Sequence, residues 1–164
     1  ICEDNGCATF QETVSDEERE YLWKARKEAH DSIKFSNPGK TMVSGDVCVP
    51  ISRFGEMFPF VHDLARQLDL KIYAFGHAGD GNMHTETIAD RSDPDEFARA
   101  HRATEAIVRR ALEVGGTVAG EHGIGRAKRE FLEEEHGASV ALMRQIKQIF
   151  DPRGIMNPGK IFDD

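Results

Sequence analysis

The sequence predicts an α+β domain: helices packed on one face of a mostly antiparallel sheet, followed by a C-terminal helical segment and a tail. Two observations carry this. Apolar residues switch their spacing along the chain, giving the order helix, strand, helix, hairpin, helix, strand, helices. And Asp80-Gly81, a strong turn pair, separates two runs of β-forming residues, Leu70–His77 and Asn82–Ile88.

Residues 1–14 read as a loose N-terminal segment, with a short extended piece at Thr9–Val14. Ser15 then opens a helix as an N-cap, and Glu18 stands three residues on, as in a capping box. Tyr21, Leu22, Ala25, Ala29 and Ile33 recur at helical spacing until Asn37-Pro38-Gly39 ends the run. Thr41–Ile51 reads as a strand, with Pro50 marking its end or an edge. Met57, Phe60, Val61, Leu64 and Leu68 form the stripe of a second helix. The third starts sharply, with Asp93 as N-cap, Pro94 in first position and Glu96 completing the box. Gly115-Gly116 stops it, and Thr117–Ala119 reads as a short strand leading into Gly120–Gly125. Arg126–Glu135 and Ala138–Phe150 read as helices, and Asp151-Pro152-Arg153-Gly154 closes the last.

The chain has 164 residues, enough for one domain with a sizeable core. A net charge of −8 argues against a general nucleic-acid binder. No apolar run approaches the roughly 18 residues of a membrane span, and no secretory signal is visible at the N-terminus. Cys2, Cys7 and Cys48 are odd in number, and reduced thiols in an intracellular protein are the favoured reading.

The chemistry concentrates in two glycine-rich stretches, Gly76–His84 and Gly120–Gly125. If Asp80-Gly81 forms a two-residue type I′ turn, Gly79 pairs with Asn82, Ala78 with Met83 and His77 with His84. Opposed residues share a face, so the two imidazoles adjoin and could chelate a divalent metal. Glu121 would complete three protein ligands and leave one position open, as in a catalytic zinc site. His122 is a candidate general base, because an imidazole titrates near neutrality. Glu86 lies on the histidine face and is a further group there, while Asp80 is read as a turn former. A plain hairpin with two surface histidines, and a capping glutamate beside a solvated histidine, stay open on the residues alone. Arg26 lies in a short basic run with Lys24 and Lys27 that could attract a carboxylate. Arg109-Arg110 and Lys128-Arg129 read as solvated faces, and His30, His62, His101 and His136 as structural.

Five pieces, in order over residues 20–162, carry a resemblance: Leu22-Trp23-Lys24-Ala25-Arg26; Asp46-Val47-Cys48-Val49-Pro50-Ile51-Ser52-Arg53; the Gly76–His84 stretch; Gly115-Gly116-Thr117 with Gly120–Gly125; and Asp151-Pro152-Arg153-Gly154-Ile155-Met156-Asn157-Pro158-Gly159-Lys160. The chain resembles the C-terminal, substrate or cap region of FAD-linked oxidases of the vanillyl-alcohol oxidase type, most like the cytochrome-linked D-lactate dehydrogenases and glycolate oxidases. The resemblance implies a ferredoxin-like cap domain over residues 15–164. It also implies an N-terminal FAD-binding domain that this chain lacks, so the fragment alone is expected to be inactive. It makes His77, His84 and Glu121 the ligands of a zinc or manganese ion and His122 the base for a small 2-hydroxy-acid substrate. Arg26 and Asn82 are then substrate-binding, and Asn157 and Lys160 lie in a segment returning toward the FAD. The resemblance leaves the electron acceptor open, is compatible with a homodimer, and suits a cytoplasmic (in a eukaryote, mitochondrial) setting with peripheral membrane association open. Glu86 and Ser44 depart from the hydroxyglutarate enzymes, which carry asparagine and lysine there, so lactate or glycolate is favoured over a dicarboxylate. The alternative is a metal-binding module without catalysis.

Overall fold

A computed structural model describes residues 12–162. Cys2, Cys7 and nearly all of the loose segment expected at 1–14 lie outside them. The chain divides into two compact units, 1–39 and 40–164.

In the first unit, α1 (Asp16–Lys27) begins as the capping pattern predicts, with the Ser15 hydroxyl accepting the Glu18 N–H at 3.1 Å. The Glu18 carboxylate accepts the Thr13 hydroxyl at 2.5 Å. Acidic Asp16, Glu17 and Glu18 fill the first turn and basic Lys24, Arg26 and Lys27 the last, matching the helix dipole. The expected single helix is interrupted at Glu28 (φ −89°, ψ 0°), after which α2 (Ala29–Phe35) runs on its own. A one-residue step of this kind leaves the apolar spacing almost unchanged, so periodicity does not register it. The Asn37 side chain closes α2 by donating to the Ile33 carbonyl at 2.7 Å.

The second unit is built on a three-stranded antiparallel sheet. β1 (Thr41–Cys48) and β2 (Lys71–His77) flank β3 (Asn82–Ala89), in the order β1-β3-β2. α3 (Ile51–Gln67) connects β1 to β2, and α4 (Pro94–Glu113) follows β3. Register places Val43 and Val47, Met83, Thr85 and Thr87, and Ile72 and Ala74 on one face. There Val47 and Met83 join Phe54, Met57 and Val61 of α3 and Ile107, Val108 and Ala111 of α4 in the core. Both helices thus cover one face, and the opposite face carries Ser44, Asp46, Asn82, His84, Glu86, Tyr73, Phe75 and His77. The Asp93 side chain caps α4 by accepting the N–H groups of Asp95 and Glu96 at 3.0 and 3.1 Å.

β1 ends earlier than the composition suggests. Pro50 has no N–H to extend the ladder and takes the N-cap place of α3, so Ile51 is its first helical residue and lies exposed. Thr117–Ala119 is reduced to one antiparallel bridge, Thr117 to Cys48, closed by hydrogen bonds of 2.7 and 3.1 Å. It lies on the free edge of β1, where a ferredoxin-like βαββαβ sheet carries its fourth strand. Residues 126–128 form turns, a 3-10 turn spans Arg129–Phe131, and α5 is short, Leu132–His136. α6 (Ser139–Phe150) follows, and Leu132, Val140 and Phe162 form a second small cluster. The tail is ordered by Asp151, whose carboxylate accepts the N–H groups of Ile155 and Met156, each at 2.9 Å, and the Lys147 ammonium. Among the described residues no helix is long and apolar enough to cross a membrane.

Candidate metal centre

His77 closes β2 and His84 lies in β3, but they do not pair directly. His77 is opposite Asn82 and Phe75 is opposite His84. The connection is therefore a four-residue loop, Ala78–Gly81, in place of the two-residue turn that the sequence suggests. A type I′ turn needs positive φ at both central residues, and here only Gly81 adopts it (φ +69°) while Asp80 does not. Gly81 is further tied to the end of β1: its carbonyl accepts the Val49 N–H at 2.9 Å, and a Cβ on it would lie 2.0 Å from the Val49 oxygen. Asp80 is a turn former, its N–H bonded to the His77 carbonyl at 2.9 Å. The register moved by two residues, an even number, so both histidines keep the same face. Their rings lie 5.3 Å apart, edge to face.

The second glycine-rich stretch brings Glu121 to them. One Glu121 carboxylate oxygen, Oε1, lies 3.1 Å from His84 Nε2 and 3.6 Å from His77 Nε2. His122 Nε2 stands 3.7 Å from the same oxygen, and its ring is 5.6 Å from that of His84. His77, His84, Glu121 and His122 thus lie together.

The loop that carries Glu121 and His122 is held by Asp46 of β1. Its Oδ2 accepts three successive backbone N–H groups, Gly120 at 3.0 Å and Glu121 and His122 at 3.2 Å each. Its Oδ1 accepts the Asn82 side-chain amide at 2.7 Å and lies 3.5 Å from His84 Nδ1. The Lys128 ammonium bonds the Asp46 carbonyl and lies 3.4 Å from Oδ2. Gly120 is required at the loop's start, because a Cβ there would fall 1.8 Å from the Asn82 amide nitrogen. Burial pushes the Asp46 carboxyl up, but the Asn82 amide, the His122 N–H, the Lys128 charge and the Glu121 N–H outweigh it and hold the group at about 2. Burial holds His84 below the ordinary imidazole value, with Asp46 and Glu121 opposing and His77 and His122 assisting. Lys128 is likewise lowered by burial against the pull of Asp46.

Two trios on this face can offer one ligand atom each within 4.8 Å of one another: His77, His84 and Glu121, and Asp46, His84 and His122. The first fits a cation better. Donor atoms about 2.1 Å from a tetrahedral ion lie about 3.4 Å apart, and the two imidazole-to-carboxylate distances, 3.1 and 3.6 Å, bracket that value. In the second trio the Asp46 carboxylate already receives Asn82, three amides and Lys128, against about four lone-pair sites.

The remaining expected residues are placed as follows. Asn82 is buried with its amide nitrogen on Asp46 and, at 3.2 Å, on the Val47 carbonyl, while its Oδ1 finds no protein partner. Glu86 lies on the histidine face but bonds across the sheet to the Ser44 hydroxyl at 2.7 Å. Arg26, in the first unit, holds its guanidinium 5.2 Å from the Trp23 ring. Asn157 and Lys160 are exposed in the tail, in a turn where the Lys160 N–H meets the Asn157 carbonyl at 3.3 Å. The next residue, Ile161, donates its N–H to the Gly125 carbonyl at 2.8 Å, which brings this segment beside the glycine-rich loop.

Sequence reading missed Asp46 as a site residue and took Lys128 for a solvated charge. A signal existed for the first: aspartate is depleted in strands, and this one stands among Val43, Val47 and Val49. For Lys128, 82 residues away from Asp46, there was none.

The family described as "FAD linked oxidases, C-terminal domain" matches over residues 1–161. A probable mitochondrial D-lactate dehydrogenase of Danio rerio is 42% identical over 166 residues, covering 99% of this chain and 33% of that protein. The glycolate oxidase subunit GlcD of Bacillus subtilis (strain 168) is 37% identical over 163 residues, covering 99% and 34%. The mitochondrial D-lactate dehydrogenase [cytochrome] 1 of Saccharomyces cerevisiae is 40% identical, covering 96% and 27%. This chain thus spans about a third of the length of its curated relatives. Among solved structures, 4-ethylphenol oxidase from Gulosibacter chungangensis superposes with a TM-score of 0.61 over 91% of this chain and 31% of that one, at 19% identity, a likeness of fold.

Proposed function

We propose that this chain, which belongs to the family of FAD linked oxidases by its C-terminal domain, supplies the substrate- and metal-binding part of a flavin-dependent D-2-hydroxy-acid dehydrogenase of the D-lactate or glycolate class. The observation that supports this most is the convergence of His77, His84 and Glu121 beside His122. In this reading the three ligands hold zinc or manganese, and FAD is held chiefly by a domain outside this chain. When bound, the cation acts as a Lewis acid on the substrate hydroxyl and the flavin accepts hydride from the substrate carbon.

The chain's own residues do the rest. His122 Nε2 takes the hydroxyl proton as the 2-oxo acid forms. Its backbone N–H is pinned to Asp46, so the base has a fixed attachment while its ring stays exposed. Arg26 is assigned to the substrate carboxylate on the family likeness alone, a guanidinium's paired donors being suited to that group. Asn82, buried against Asp46, would border the substrate, and Asn157 and Lys160 would help to hold the FAD. Glu86 sets a carboxylate, bonded to Ser44, two residues beyond His84, which favours monocarboxylates such as lactate or glycolate by repelling a second substrate carboxylate. The names of the fish and yeast relatives place those proteins in mitochondria.

The test is metal analysis of the purified chain together with His77→Ala and Glu121→Ala. Wild type is expected to carry one equivalent of zinc or manganese and each variant much less. Metal content that neither substitution changes removes the ligand set. In the flavin-containing full-length protein, His122→Asn should lower turnover about 10²-fold or more while leaving the metal in place.

A further inference from the structure

We propose that Asp46 is the positioning residue of this centre: one carboxylate sets both the Glu121 turn and the His84 ring for the cation. The proposal rests on the reading of His77, His84 and Glu121 as ligands, and it adds a residue that touches neither metal nor substrate.

A strand interior is a poor place for a buried carboxylate, which is costly unless every lone pair is met. Asp46 is 5% exposed and is met on all sides. Its Oδ2 gathers the amides of Gly120, Glu121 and His122, so the ligand glutamate is anchored at its own N–H and at those of both neighbours. Glycines at 120, 123 and 125 otherwise leave this loop with broad backbone freedom. Oδ1 faces His84 Nδ1 at 3.5 Å, on the ring edge opposite to Nε2, which faces Glu121 at 3.1 Å. A carboxylate there favours the tautomer with the proton on Nδ1 and leaves the Nε2 lone pair for a cation, the usual carboxylate–histidine–metal order. Asn82 and Lys128 complete the cradle and keep the carboxylate in place. The strand-borne and loop-borne ligands are therefore coupled through one side chain that lies behind both.

The test uses the whole chain and manganese or zinc as the sole probe. Asp46→Asn keeps the side-chain shape but loses the charge and one acceptor. Titration calorimetry should show affinity falling about 10- to 100-fold at unchanged stoichiometry, with the circular dichroism spectrum preserved. A residue that serves the fold alone would lower the melting temperature of the metal-free chain and leave affinity within about twofold, and that result overturns the proposal. Should the variant not fold, wild type decides. Its metal-free form should show the Glu121 and His122 amides protected from hydrogen exchange, and its zinc-loaded form should show His84 carrying its proton on Nδ1 by nitrogen NMR. Freely exchanging amides, or a zinc-loaded His84 protonated on Nε2, overturn it. A wild-type chain that binds neither metal overturns the ligand reading instead, while the amide measurement still decides what Asp46 does.

Discussion

The two halves of the centre are built by different means. His77 and His84 belong to a hairpin, placed by the backbone ladder of β2 and β3. Glu121 and His122 belong to a loop with no ladder of its own beyond the Thr117 bridge, placed by a side chain of β1. A ladder fixes position by parity, and parity survives a register shift of two residues but not of one. A loop gathered on one carboxylate has no such tolerance, and its position depends on a charge.

That contrast can be broken from either side. The largest effect is expected from Gly81→Ala in the hairpin. The new Cβ would meet the Val49 carbonyl at 2.0 Å in a backbone region with φ +69°, so strain and collision act together. A loss of about 3 kcal/mol in denaturant unfolding is expected, with metal affinity of the folded fraction falling because His77 and His84 separate.

The loop half breaks by pH instead. The Asp46 carboxyl is held at about 2, below its ordinary 3.8. A depressed carboxyl contributes stability that is complete above its unfolded value and is lost as pH falls through the folded one. The folded chain should therefore lose about 2 kcal/mol between about pH 4 and pH 2 through this group. Asp46→Asn should lack that part of the acid limb in urea titrations at stepped pH. An unchanged acid limb would mean that the loop is held by something other than this charge.

The smallest effect sharpens the comparison. Gly79 lies in the same hairpin loop as Gly81 but has ordinary φ and open space where a Cβ would go. Gly79→Ala should change stability by less than about 0.5 kcal/mol, with the reduced entropy of the unfolded chain acting toward a slight gain. A large loss there would show that the whole loop, and not the Gly81 contact, carries the hairpin geometry.

These differences explain what could be read from the sequence. Helix starts at Ser15 and Asp93 were legible because a cap is a local signal, three residues long. The shared face of His77 and His84 was legible because it depends on even or odd spacing alone, and the true four-residue loop left that unchanged. The type of turn was not, because Gly81 is held by Val49, 32 residues earlier. Proximity of Glu121 was inferred from glycines and from family likeness, while its cause, the amides on Asp46, joins residues 75 positions apart and leaves no periodic trace. Lys128 looked like any surface charge for the same reason, although its side chain is largely buried against Asp46. The late start of α5 follows suit, since residues 126–128 stay in turns where Lys128 reaches Asp46.

The proposal that the halves converge on one ion is tested by a crystal of the chain soaked in manganese and measured at the manganese edge. One anomalous peak is expected within roughly 2.0–2.3 Å of His77 Nε2, His84 Nε2 and a Glu121 oxygen, with Asp46 still on the three amides. A peak coordinated by Asp46, His84 and His122 with Glu121 turned away, or no peak on this face, would contradict it.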